Sequence, residues 1–292
     1  MNLPDDVAAV FGAWRRRGRE LTLAEGYKVF AIQEGSGPDL VLLHGFPSSS
    51  HDFAAALPWL TQRYRVTLWD HLGFGFSDKP ADAAVSYSLL DQARRAGEIA
   101  AQLGVRRARL VGHDMGLTIA VEMLCRQEEG TLPLELESLV LCNASHLIEL
   151  AHLTPVQEAL MTEEGAREFA EHYDPERFAQ GFRFLWADPS RTPEVDLRAI
   201  AYWMCWNGGL EVIGRIARYN LERRQFAERW RSIFQRVRLP MRIVWGDRDP
   251  IAVLEIGRRL AEMAQAPLVV LENVGHYPQM EAPQQWAEAV AE

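Results

Sequence analysis

The chain has 292 residues, 48% of them hydrophobic and 24% charged, which suits one large α/β domain or one domain with an insertion. A core of that size needs no disulfide or metal staple. The net charge of −9 speaks against a nucleic-acid partner. No run approaches the ~20 apolar residues of a membrane span, and no N-terminal apolar stretch leads to a small-residue cleavage site. Cys125, Cys142 and Cys205 cannot all pair, and buried thiols in a reducing, cytoplasmic compartment are expected.

In chain order, the basic run 15–19 reads as a solvated segment before the first strand. Residues 21–24 and 29–33 predict a hairpin with Gly26 in its turn. Residues 40–43 predict a short, fully apolar strand, 51–63 a helix, 65–69 a strand, and 89–103 a helix ended by Gly104. Strands follow at 109–111 and 136–142, with a helix at 117–126 between them. Late in the chain come strands 241–245 and 268–271 around a helix at 251–264, then a last helix at 284–290. Strands alternating with helices imply a mainly parallel sheet covered on both faces.

One stretch breaks the rhythm. Residues 144–237 carry only helical patterns and hold Trp186, Trp203, Trp206, Trp230, Tyr173, Tyr202 and Tyr219. A helical insertion between two strands predicts a cap (144–237) over the strands' carboxyl ends, on a core built from 1–143 and 238–292. Most of its aromatics are expected to pack the cap, with a few, Trp186 among them, facing an apolar cleft.

Chemistry concentrates at strand ends. Gly112-x-Asp114-x-Gly116 lies between a strand and a helix, the context of a nucleophile elbow with a carboxylate at its tip. An aspartate, with a reference pKa of about 3.9, needs no base to become a nucleophile and would leave an alkyl ester on attacking a saturated carbon. His44-Gly45-Phe46-Pro47 follows an earlier strand. The N–H groups of Phe46 and Met115 are placed for an oxyanion hole, whereas His44 is expected to bond its own loop. His276, in Gly275-His276-Tyr277-Pro278 after the last strand, is the expected base. Asp247 or Asp249, in one loop after the strand before it, is expected to orient that base. The Gly73-x-Gly75 pair fails as a dinucleotide motif, because Asp78 occupies the third glycine position.

Together these motifs resemble the α/β-hydrolase superfamily over residues 21–290, in the branch with an aspartate nucleophile that contains epoxide hydrolases and haloalkane dehalogenases. Residues 73–80 and 276–283 are similar to the mesoderm-specific transcript group within that fold. The resemblance implies an eight-stranded, mainly parallel sheet with the cap inserted after the sixth strand. It implies Asp114 as nucleophile, His276 as base and Asp249, the later loop aspartate, as its partner. A small apolar substrate and water are implied, with no cofactor and no metal, in a monomer or homodimer.

Haloalkane dehalogenases carry tryptophan at the Met115 position, one dehalogenase class has a carboxylate near Asn143, and fluoroacetate dehalogenases carry arginines just after the nucleophile. None is present here. Epoxide hydrolases protonate the opening oxygen with cap tyrosines. Tyr219 resembles the second of these, with Tyr173 or Tyr202 as its partner. Epoxide opening is therefore the leading expectation, ahead of carbon–halogen or ester cleavage and of a non-catalytic ligand-binding role on the same fold.

Overall fold

The computed structural model describes residues 3–292. Eight strands form one sheet: β1 (Arg19–Thr22), β2 (Lys28–Gly35), β3 (Asp39–Leu43), β4 (Arg65–Trp69), β5 (Arg107–His113), β6 (Glu135–Cys142), β7 (Met241–Gly246) and β8 (Leu268–Leu271). Their spatial order is β1-β2-β4-β3-β5-β6-β7-β8. β2 runs antiparallel to both neighbours, and β3 to β8 are parallel. Before the insertion come helices α1 (Asp5–Arg15), α2 (Leu57–Leu60), α3 (Leu89–Gln102) and α4 (Met115–Glu128).

The central strands are apolar at nearly every position because both faces are buried. Val41 and Leu43 of β3 join α3 and α4 in one core, while Leu40 and Leu42 join α2 in the other. β6 alternates likewise, with Leu139 and Leu141 on the first side and Val140 and Cys142 on the second. All three cysteines are buried and none forms a disulfide.

Between β6 and β7 the described residues form only helices: α5 (Pro155–Leu160), α6 (Glu163–Glu171), α7 (Pro175–Phe182), α8 (Glu194–Cys205), α9 (Gly209–Ala217), α10 (Tyr219–Gln225) and α11 (Ala227–Arg236), with short 3-10 turns. Then come α12 (Leu254–Ala264), α13 (Pro278–Glu281) and α14 (Pro283–Ala291). Buried Glu122 ties α11 to α4, accepting from Arg229 Nε at 2.8 Å and Trp230 Nε1 at 2.9 Å. No helix among the described residues is long and apolar enough to cross a membrane.

One expectation fails locally, and one holds with other bounds. The 51–63 segment breaks into a 3-10 turn (Ser50–Phe53) and the single turn α2, because Pro58 has no N–H to continue a longer helix. The basic run 15–19 does not simply precede β1. It begins on the last residue of α1, whose Val7, Phe11 and Trp14 form one buried stripe. Phe11 stacks on Trp203 of α8 with ring centres 3.5 Å apart.

α4 starts unusually close to β3. A Cβ on Gly116 would lie 2.2 Å from the Leu43 carbonyl oxygen and 2.7 Å from that of His44, both backbone atoms that cannot swing away. Gly116→Ala is expected to cost about 3 kcal/mol or more, since overpacking against backbone lies at the upper end of its usual range. Gly181→Ala, in α7 with nothing within 4 Å of the added atom, is expected to be neutral or to stabilise by about 0.5–1 kcal/mol. Urea unfolding midpoints of the two variants test the contrast.

Candidate active site

Asp114 stands between β5 and α4 with φ 48° and ψ −114°, a left-handed conformation that strains a residue bearing a side chain. Three backbone bonds fix it there: Asp114 N–H is shared between the carbonyls of Asn143 (3.1 Å) and Cys142 (3.3 Å), and Leu117 N–H donates to the Asp114 carbonyl at 3.1 Å. The strain turns the carboxylate away from the sheet. Its Oδ2 accepts from the Phe46 N–H at 2.9 Å, so the first expected oxyanion-hole donor already meets a carboxylate oxygen. The second, Met115, is the first residue of α4, where backbone N–H groups have no partner within the helix.

His276 and Asp249 meet as the motif spacing suggests, with His276 Nδ1 donating to Asp249 Oδ2 at 2.7 Å. The other oxygen of Asp249 accepts from the N–H groups of Ile251 (2.9 Å) and Ala252 (2.8 Å). Asp247 instead braces its loop, accepting from Val274 N–H at 3.4 Å. Asn143 joins the strand ends, donating from Nδ2 to Asp249 Oδ2 at 2.8 Å and accepting from Gly246 N–H at 2.9 Å. His44 bonds its own loop, Nδ1 to the Gly45 carbonyl at 2.8 Å.

The His276 main chain is held from three sides. His113 Nε2 donates to its carbonyl at 2.7 Å, and its N–H donates to the Leu185 carbonyl of the inserted segment at 2.7 Å. The preceding N–H, of Gly275, donates to buried Glu281 at 2.7 Å, and Glu281 also accepts from Asp188 N–H at 2.8 Å. Burial alone would lower the His276 pKa. The charge and hydrogen bond of Asp249 and the charge of Asp114 outweigh it, and the net shift is upward from 6.5. Burial pushes His113 down to about 4, which leaves it a neutral Nε2–H donor.

Asp114 and His276 both line a cavity of about 630 Å³ roofed by the inserted helices and walled by Phe169, Phe178, Phe182 and Phe184. The four expected cap residues divide. Tyr173 lines the cavity but donates its hydroxyl to the Ala201 carbonyl at 2.8 Å. Tyr202 and Trp186 are not among the lining residues: Tyr202 donates to Glu176 at 2.8 Å, and Trp186 donates to Thr192 at 2.9 Å and stacks on Tyr277 with ring centres 4.8 Å apart. Tyr219 is not among the lining residues either: it is buried with its ring 5.6 Å from that of Phe46, and burial followed by the charge of Asp114 pushes its phenol pKa up. The sequence reading missed Arg223, whose Nη2 donates to the Asp114 carbonyl at 2.9 Å. It missed Glu281 and His113 as well, because their targets are main-chain atoms of distant loops.

Residues 38–283 match the family described as the alpha/beta hydrolase fold. The chain belongs to this family. It is 37% identical over 279 residues to LipZ of Mycobacterium tuberculosis, described as a hydrolase, covering 94% of this chain and 95% of that one. It is 30% identical over 299 residues to the mesoderm-specific transcript protein of Mus musculus, covering 96% and 86%. A solved alpha/beta hydrolase fold protein from Burkholderia ambifaria superposes with a TM-score of 0.75 at 25% identity, covering 93% and 96%. Hydrolase activity in general is what family and relatives support.

The raised His276 pKa has a definite sign. The fold favours the protonated imidazolium, a stabilisation present below the ordinary pKa of about 6.5 and lost as pH rises through the folded value. A ¹⁵N NMR titration of the free protein is expected to place the His276 midpoint above 6.5, and Asp249→Asn to move it down by about one unit or more.

Proposed function

We propose that the protein hydrolyses a small apolar substrate through a covalent alkyl ester on Asp114, in the manner of an epoxide hydrolase. The observation that carries the reading is a carboxylate at the tip of a strained elbow, with one oxygen on the Phe46 N–H, in the same cavity as a histidine paired with Asp249. A hydroxyl there would need a base to ionise it, whereas a carboxylate attacks a saturated carbon directly.

In the first half-reaction Asp114 attacks an epoxide carbon and the carbon–oxygen bond breaks toward oxygen. Tyr219, whose ring lies 5.6 Å from that of Phe46, is protonated at neutral pH and is the donor to that oxygen. In the second half-reaction His276 takes a proton from water, which attacks the ester carbonyl carbon, and Asp249 stabilises the imidazolium. The Phe46 and Met115 N–H groups serve this step, because only here does negative charge develop on a carbonyl oxygen. On this reading residues 144–237 are the cap, and their phenylalanines favour an apolar ligand. Carbon–halogen cleavage has less support, since the Met115 side chain packs in the core and offers no N–H to a halide.

The test is styrene oxide in ¹⁸O water under single turnover. The first diol is expected to carry unlabelled oxygen from Asp114, and a fully labelled first diol sinks the covalent mechanism. His276→Gln is expected to accumulate an adduct of substrate mass on Asp114 by intact mass spectrometry. Tyr219→Phe is expected to slow ester formation by about 10²-fold, the lower range for a lost proton donor.

A further inference from the structure

Arg223 rises from α10 with its side chain fully buried and no place among the cavity-lining residues. Nη2 donates to the Asp114 carbonyl at 2.9 Å and stands 3.6 Å from Asp114 Oδ1. Nε donates to Thr118 Oγ1 at 3.0 Å and Nη1 to Asn220 Oδ1 at 3.2 Å, while the guanidinium carbon lies 4.6 Å from the centre of the Tyr219 ring. The Thr118 hydroxyl in turn donates to Nδ1 of His146 at 3.1 Å. Burial first, then the charges of Arg223 and Arg231, lower His146 to about 3, so it is a neutral acceptor. These contacts lock the guanidinium in one direction, with the Asp114 carboxylate in front of it.

A buried cation is stable only with a counter-charge, and here that charge is the nucleophile. We propose that Arg223 is a positioning residue and fixed counter-charge for Asp114 that makes the alkyl ester short-lived by speeding its hydrolysis. The inference rests on the covalent reading above. When Asp114 bonds the epoxide carbon, the electron pair of the broken carbon–oxygen bond goes to the departing oxygen, which takes a proton. Asp114 becomes a neutral ester and Arg223 loses its partner. When water attacks the ester carbon, its proton goes to His276 and negative charge returns to Asp114. The bond from that carbon to the alkyl oxygen then breaks, the departing alkoxide takes the proton from His276, and the second proton of the water leaves the new Asp114 carboxyl group to replace the one Tyr219 gave to the epoxide oxygen, which restores the carboxylate. The guanidinium favours the tetrahedral oxyanion and the regenerated carboxylate over the ester. Its Nη2–carbonyl bond also supports the strained Asp114 backbone, and its charge lowers the proton affinity of His276, the base for the same step.

The experiment compares wild type, Arg223→Gln, Arg223→Lys and Thr118→Val. Ester formation and decay are followed with styrene oxide by acid quench and intact mass, and the His276 midpoint by NMR without substrate. In Arg223→Gln hydrolysis of the ester is expected to slow at least tenfold while its formation changes less than threefold, so the adduct accumulates, and the His276 midpoint rises. Arg223→Lys is expected to recover most of both effects, and Thr118→Val to shift the same way by a smaller factor. Equal slowing of both half-reactions with an unchanged His276 midpoint overturns the proposal. If Arg223→Gln does not fold, an unchanged ratio of the two rates in Thr118→Val overturns it. Absence of any adduct in His276→Gln defeats the covalent reading instead, and the NMR midpoints still decide whether Arg223 acts on the site by its charge.

Discussion

The rest of the site depends on one close approach: the first turn of α4 lies against the end of β3 with no room for a side chain on Gly116. That contact brings the loop after β3 under the Asp114 carboxylate, so the Phe46 N–H meets it at 2.9 Å. It also forces the turn that gives Asp114 its positive φ. Strain of this kind persists only where the surroundings over-determine it. Here they do so from both directions, with the strand ends of β5 and β6 below and a buried arginine from the inserted helices above.

The same logic holds His276. Its side chain answers to the core through Asp249, yet its backbone answers to the insertion through the Leu185 carbonyl and the shared carboxylate of Glu281. Gly275 marks how tight this seam is, since a Cβ there would lie 2.2 Å from the Leu185 oxygen. The insertion is thus more than a roof over an apolar cavity. It supplies hydrogen-bond partners to the main chain of both Asp114 and His276, so displacing it would loosen two parts of the site at once.

What was legible in the sequence is what is local. β4 and β8 begin and end where their apolar runs do, and the strand-end motifs place Asp114, His276, Asp249 and Phe46 together because parallel strands deliver their carboxyl ends to one side. What was not legible depends on partners far along the chain. The stripe of Val7, Phe11 and Trp14 is readable, but Trp203 that covers it is about 190 residues away. Arg223 and Arg224 look alike as neighbours in a basic helix, yet one is fully buried beside Asp114 and the other faces solvent. The aromatics Tyr202 and Trp186 of the insertion matched a pattern, but Glu176 and Thr192 hold their polar atoms elsewhere.

Met115 unites these observations. Its N–H is placed by the elbow whatever its side chain, so oxyanion stabilisation does not depend on residue type at this position. Leaving-group stabilisation would depend on it, and the thioether packs into the core instead. On the proposed reading the groups around the ester come from both layers: His276, Asp249 and the Phe46 N–H from the strand ends, and Arg223 from the inserted helices. On the same reading, recognition of the departing atom falls to the inserted helices, where the Tyr219 ring lies 5.6 Å from that of Phe46 and 4.6 Å from the Arg223 guanidinium carbon. Substitutions between β6 and β7 that spare Arg223 and the Leu185 carbonyl are therefore the ones that, on the proposed reading, can retune the substrate while the backbone geometry of the site stays in place.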